Sequence, residues 1–138
     1  MTERSVNHTT FVIERIYPAA PSRVFAAWAS KEAKAVWMDD PDFKSDGSEP
    51  ELDFRIGGHE RFGGLTPEGT SYSYEMYSGD DRMSVSLSTV QITPDGGGTR
   101  LTYTEQGAFL DGIDKPESRE EGTAWLLDNL GTYLASHP

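Results

Sequence analysis

Glu105 is the side chain in this sequence best placed to do chemistry. It follows Leu101 and Tyr103 at intervals of two, so on a β-strand all three share a face, and the apolar pair turns that face to the core. A carboxyl close to the end of such a strand, in apolar surroundings, has its pKa raised, which suits a general acid or base. The plainer alternative is a rim carboxylate, hydrogen-bonded or solvated. Tyr72, Tyr74 and Tyr103 would bring hydroxyls to the same space, walled by Trp28, Trp37, Phe54, Phe62, Met76, Leu87 and Trp125. Apolar walls with a few convergent polar groups describe a small-molecule site, and the same aromatics equally describe the core of a small domain.

Other chemistries lack their residues. There is no cysteine, hence no disulfide, thiol nucleophile or thiolate metal site, and His8, His59 and His137 show no spacing suited to zinc. Asp42, Asp46 and Gly47 echo a calcium loop, but Lys44 takes its third position and Asp53 its twelfth. The glycines at 57–58, 63–64 and 96–98 open no phosphate-binding helix, and no G-x-S-x-G elbow or Ser/His/Asp set is present. No cofactor and no metal is expected. Arg55, on the opposite face from Phe54, could hold an anion or pair with a surface acid.

The elements that must position these groups are legible from pattern. Residues 8–17 read as a strand. Pro21 opens a helix that puts Val24, Phe25 and Trp28 on one face, and Ser30 caps a second short helix, Lys31 to Trp37. After turn-forming residues at 38–50, Leu52, Phe54 and Ile56 alternate as a half-buried strand, followed by a short segment at 59–62. Tyr72, Tyr74 and Met76 alternate next, then Met83, Val85 and Leu87 as the apolar face opposite Ser84, Ser86 and Ser88. At Val90 and Ile92 the apolar parity changes, which predicts a bulge or bend there. Asp95 to Gly98 turns into the strand that carries Glu105. Ser118 and Glu121 fit a capping box, and Thr123, Leu126, Leu127, Leu130, Tyr133 and Leu134 form the apolar stripe of a closing helix over 118–136.

Size and charge bound what this assembly can serve. A chain of 138 residues is expected to form one domain over 1–138. Twelve basic against 23 acidic residues give a net charge of −11, a field that repels nucleic acid and anionic membrane surfaces. No run is apolar enough to span a bilayer and the N-terminus has no apolar signal core, so a cytoplasmic protein is expected.

Several motifs, in order, carry a resemblance. The opening F-V-I-E-R-I-Y-P-A-A-P-S-R-V-F-A-A-W, E-A-K-A-V-W at 32–37, L-D-F-R-I-G-G at 52–58, S-V-S-L-S-T-V at 84–90, G-T-R-L-T-Y-T-E-Q-G at 98–107 and E-G-T-A-W-L-L-D-N-L at 121–130 resemble one family. It comprises bacterial proteins similar to the C-terminal domain of the activator of heat shock protein 90 ATPase, within the START-like, helix-grip superfamily. The resemblance implies an α+β fold: an antiparallel sheet of about six strands wrapped on a long C-terminal helix, with two short helices after the first strand. It also shows a departure, because the family carries two strands between the Glu60 to Phe62 segment and the strand at 84–90, and one of them is missing here. Removing a strand from an antiparallel meander leaves parallel neighbours that a short turn cannot join. Either 59–64 leaves the sheet, the 52–64 hairpin reverses, or the freed edge pairs with a second copy as a homodimer.

Members of this superfamily do unrelated things on one scaffold, so three functions stay open. The first is binding of a small hydrophobic or amphipathic ligand. The second is a cyclase- or hydrolase-like enzyme using Glu105 and a tyrosine. The third is a protein-interaction module resembling the co-chaperone domain for which the family is named.

Overall fold

The computed structural model describes residues 4–38, 61–66, 68–78 and 80–138. Their order is β1 (Val6–Tyr17), α1 (Pro21–Ala29), α2 (Lys31–Trp37), β2 (Arg61–Thr66), β3 (Gly69–Ser78), β4 (Asp81–Asp95), β5 (Gly98–Leu110) and α3 (Pro116–Ser136). The strands form one sheet in the order β1-β5-β4-β3-β2, with every neighbouring pair antiparallel. The described sheet thus has five strands where about six were expected; the strand read at Leu52 to Ile56, with Phe54 and Arg55, lies outside the described residues. The α+β helix-grip architecture holds, with α3 and the α1–α2 pair packed on one face of the sheet.

That inner face follows from the period of two. Phe11, Ile13 and Tyr17 of β1 and Leu101, Tyr103, Glu105 and Phe109 of β5 are all buried, while their alternates face outward. Pro21 stands in the first turn of α1, where its absent N–H leaves nothing unsatisfied. Ser30 caps α2 as expected, its Oγ accepting from the Ala33 N–H at 3.1 Å. The inner ends of the sheet and α3 are tied by the Tyr17 hydroxyl, which donates to the Leu127 carbonyl at 2.7 Å.

Two expectations are overturned. The helix α3 begins at Pro116, with Lys115 as N-cap and no side-chain cap, so Ser118 falls inside the first turn and the capping box does not form. Proline preorganised for the first helical position sets the start. In β4, Ser84, Ser86 and Ser88 face the core, while Val85 and Leu87 are 38% and 44% exposed. The inward set runs unbroken through Val90 and Ile92, and the β4–β5 register is continuous from Ser84 to Asp95, so no bulge occurs at Val90. The shift lies earlier, where Met76 pairs with Ser84 and Tyr77 with Arg82, skipping Met83.

The 59–64 segment does not leave the sheet over its described residues. Strand β2 stays in the sheet, pairing with β3 from Arg61↔Ser73 to Thr66↔Gly69 with a skip at Gly63. Gly69 closes this connection at φ 149°, where an added Cβ would also collide with the Val90 carbonyl oxygen.

The inversion of β4 has a direct test in urea unfolding. Leu127→Ala, at a fully buried position, should lose about 2–5 kcal/mol, whereas Leu87→Thr should stay within about 0.5 kcal/mol of the parent. Comparable losses at the two leucines would contradict the facing described for β4.

Candidate functional site

Three inner-face rows cross the sheet beneath the N-terminal half of α3. They are Phe11–Glu105–Ser88–Tyr72, then Gly107–Ser86–Tyr74, then Phe109–Ser84–Met76. The middle of this surface is built of small residues: a Cβ on Gly107 would stand 2.8 Å from the Phe109 ring and 3.2 Å from Ser86 Oγ. Into that space Glu105 projects from the sheet and Arg119 from the helix.

Glu105 is 0% exposed and lies well inside β5 rather than near its end. Its Oε1 accepts from the Tyr103 hydroxyl at 2.7 Å; its Oε2 accepts from Tyr74 at 2.8 Å and Ser86 at 3.0 Å, with Arg119 Nη1 at 3.5 Å. Since the Tyr103 proton points to Glu105, the 2.7 Å contact between Ser88 and Tyr103 has Ser88 as donor. Arg119 also donates through Nη1 to the Tyr74 oxygen at 3.2 Å and through Nη2 to Ser84 Oγ at 2.9 Å and Asp114 at 2.8 Å. Its guanidinium lies 5.0 Å from the centre of the Phe109 ring and 5.7 Å from that of Tyr74. Both Glu105 oxygens are therefore engaged by internal donors.

The electrostatics follow from burial and pairing. Desolvation, then the neighbouring Glu105 charge, holds the Tyr74 phenol well above its usual pKa, and Tyr103 is raised first by desolvation and then by Tyr72 and Tyr74. For Arg119 burial works against the charge, but its electrostatic coupling to the Tyr74 hydroxyl oxygen and to the carboxylates of Glu105 and Asp114 outweighs that and raises its pKa.

A second cluster lies where α1 and α2 meet β3. Trp28 and Trp37 pack edge to face with centroids 4.9 Å apart, Trp28 and Tyr72 at 6.3 Å, and Tyr72 and Tyr74 at 6.1 Å. The Trp37 N–H donates to the Ala27 carbonyl at 3.1 Å.

Of the residues expected to line a pocket, Trp28, Trp37, Tyr72, Tyr74, Tyr103 and Glu105 converge on the inner face, with Met76 partly buried against them. Leu87 and Trp125 do not. Leu87 is on the outer face with the rest of its parity, and Trp125, 40% exposed, falls off the buried stripe of α3, which is Arg119, Thr123, Leu127, Leu130 and Leu134. Phe54 lies outside the described residues, as does the Phe62 side chain. Sequence reasoning missed Arg119 and the three serines. Stepping back four residues from Thr123 along the helical stripe reaches Arg119, and a buried acid at 105 requires donors that the serines supply. Among the described residues, two open grooves lie outside this grip, one between β1 and the acidic start of α3 and one on the outer sheet face.

The family described as Activator of Hsp90 ATPase homolog 1-like protein matches residues 18–135. A solved protein of Rhizobium leguminosarum is 34% identical, with 99% of this chain and 100% of that one covered, at a TM-score of 0.81. A second, from Rhizobium loti, is 45% identical over 94% of this chain and 99% of its own, at 0.78. An AHSA1-like protein of Rhizobium etli, 20% identical over 93% and 83%, shares the fold at 0.61. No curated protein matches the chain.

Breaking the buried pair from one side should be severe. Arg119→Met is expected to lose about 3–5 kcal/mol, and Glu105→Leu with Arg119→Met together should lose less than the sum of the two by about 1–3 kcal/mol in a double-mutant cycle. Simple additivity would show that the two charges do not interact. The raised phenols give a pH dependence as well. The unfolded chain releases tyrosine protons near pH ~10 while Tyr17, Tyr74 and Tyr103 retain theirs when folded, so stability is intact below that pH and falls as pH rises through it. Phenolate absorbance from these three should appear together with alkaline unfolding, not before it.

Proposed function

The chain belongs to the Activator of Hsp90 ATPase homolog 1-like family, and on that footing we propose that it binds a small apolar or amphipathic molecule at the aromatic end of the grip. The observation that supports this most is the run of rings Trp28, Trp37, Tyr72 and Tyr74 between the α1–α2 pair and the inner face of β3. Flat apolar walls of this kind, with hydroxyls alongside, suit a small ligand. Leu127 and Leu130 of α3 belong to the same apolar core as these rings. Because Trp28, Trp37, Tyr72 and Tyr74 are each at most 2% exposed, a ligand reaches them only when the elements around them part.

Acid–base catalysis by Glu105 has less support. A general base needs an oxygen that faces its substrate, and here both oxygens accept from tyrosine, serine and arginine side chains of the same core. Glu105 is better understood as the acceptor around which the floor of the grip is assembled. An interaction module of the co-chaperone kind rests on the family's name.

Thermal unfolding against a panel of aromatic and long-chain acids, alcohols and hydrocarbons tests the reading. A ligand at a hundred times its Kd adds about 2.7 kcal/mol to the folded state, a rise of several degrees in Tm. If the whole panel leaves Tm unchanged, the binding proposal fails.

A further inference from the structure

Among the described residues, the indole Nε1 of Trp28 is the buried side-chain polar atom with no hydrogen-bond partner. The other two tryptophans differ from it. Trp37 donates to the Ala27 carbonyl, and Trp125 is open to solvent. An N–H closed from water without an acceptor carries its full desolvation penalty and is rare in folded proteins. It is accounted for when the acceptor arrives from outside the chain.

The surroundings say what kind of acceptor. Trp28 is only 2% exposed, with Trp37 against its edge and Tyr72 tilted beside it. Lys34 of α2 sets its ammonium over the same two rings, 5.4 Å from the Trp28 centroid and 5.8 Å from that of Tyr72. The indole donor thus lies at the edge of a ring whose face carries the Lys34 ammonium, among aromatic walls. Neutral carbonyls and carboxylates both accept from an indole N–H, and a nearby ammonium favours the anion.

We infer that the Trp28 N–H is the anchoring donor of the ligand site and that the ligand is a carboxylate with a flat apolar body, its charge met by Lys34. This rests on the ligand-binding reading and names the ligand's chemical class. Trp28 and Lys34 act in recognition only, and no bond is made or broken.

The test uses the whole chain labelled with nitrogen-15, its three indole signals assigned with Trp37→Phe and Trp125→Phe. The probes are 2-naphthoate, its neutral ketone analogue 2-acetonaphthone, and 2-isopropylnaphthalene, which has no acceptor. The Trp28 indole signal should move downfield with the acid and the ketone and not with the hydrocarbon. Trp28→Phe should weaken the acid about tenfold, the loss of one hydrogen bond. Lys34→Met should weaken the acid about fivefold and the ketone less than twofold. A naphthoate that raises Tm while the Trp28 signal stays in place overturns the inference and leaves ligand binding standing. So does a Trp28 signal that exchanges with a bound water and ignores all three probes while Tm rises. Binding of none of the three, with Tm flat, overturns the inference, whereas the ligand-binding reading falls only if the broader panel also leaves Tm unchanged. Because the indole signals are read in the parent protein, the result does not depend on Trp28→Phe folding.

Discussion

The contact between Glu105 and Arg119 is the constraint around which the rest is arranged. A carboxylate with no access to water must be given donors, and a guanidinium reaching into the same space must be given acceptors. The chain meets both demands at once by drawing hydroxyls from β3, β4 and β5 toward a side chain from α3. The polar assembly therefore joins the helix to the sheet at one end, as the apolar contacts of Leu127 and Leu130 do further along. It also fixes register. Sliding β4 by one residue would turn Val85 and Leu87 inward and Ser84, Ser86 and Ser88 outward, which gains apolar area but strips Glu105, Tyr103 and Arg119 of partners. Polar matching overrules hydrophobicity in that strand.

This override is why β4 could not be read from its apolar residues alone. Over 83–88 either parity makes a plausible inner face, and the valine–leucine set looks the better one. The information that decides it is non-local: Glu105 sits two strand positions past Tyr103, faces inward, and needs donors from its neighbour. A single alternation from Ser84 to Ile92, without a bulge, would have given the same answer. By contrast, β1, α1 and α2 were legible because their signals are local, in Pro21, in the Ser30 cap and in a clear apolar face. The closing helix was legible over its leucines and misread at its start. Ser118 and Glu121 satisfy the spacing of a capping box, but Pro116 stands two residues earlier and takes the first turn. Arg119 was passed over because a charge on a buried stripe is counted as a break until its partner is known. Packing of the ring cluster was legible in outline. Exclusion of Leu87 and Trp125 from it was not, since the first depends on the inverted strand and the second on where the stripe of α3 is centred.

The two ends of the grip differ in what they have left to offer. At the Glu105 end, the hydrogen-bonding capacity of the carboxylate is taken up internally, so a ligand placed there would have to displace one of those donors and leave a charge exposed to a less polar neighbour. At the Trp28 end, a donor is present and no described group accepts from it. A molecule whose polar group reaches the second end gains a hydrogen bond that the described residues do not supply. One that reaches the first only exchanges a bond it must break for one it makes. The arrangement that most readily suggested catalysis from the sequence, a buried glutamate among tyrosines, is for this reason the part of the interior least free to act on a substrate. The tryptophan that reads as ordinary core carries the buried side-chain donor that no described group satisfies.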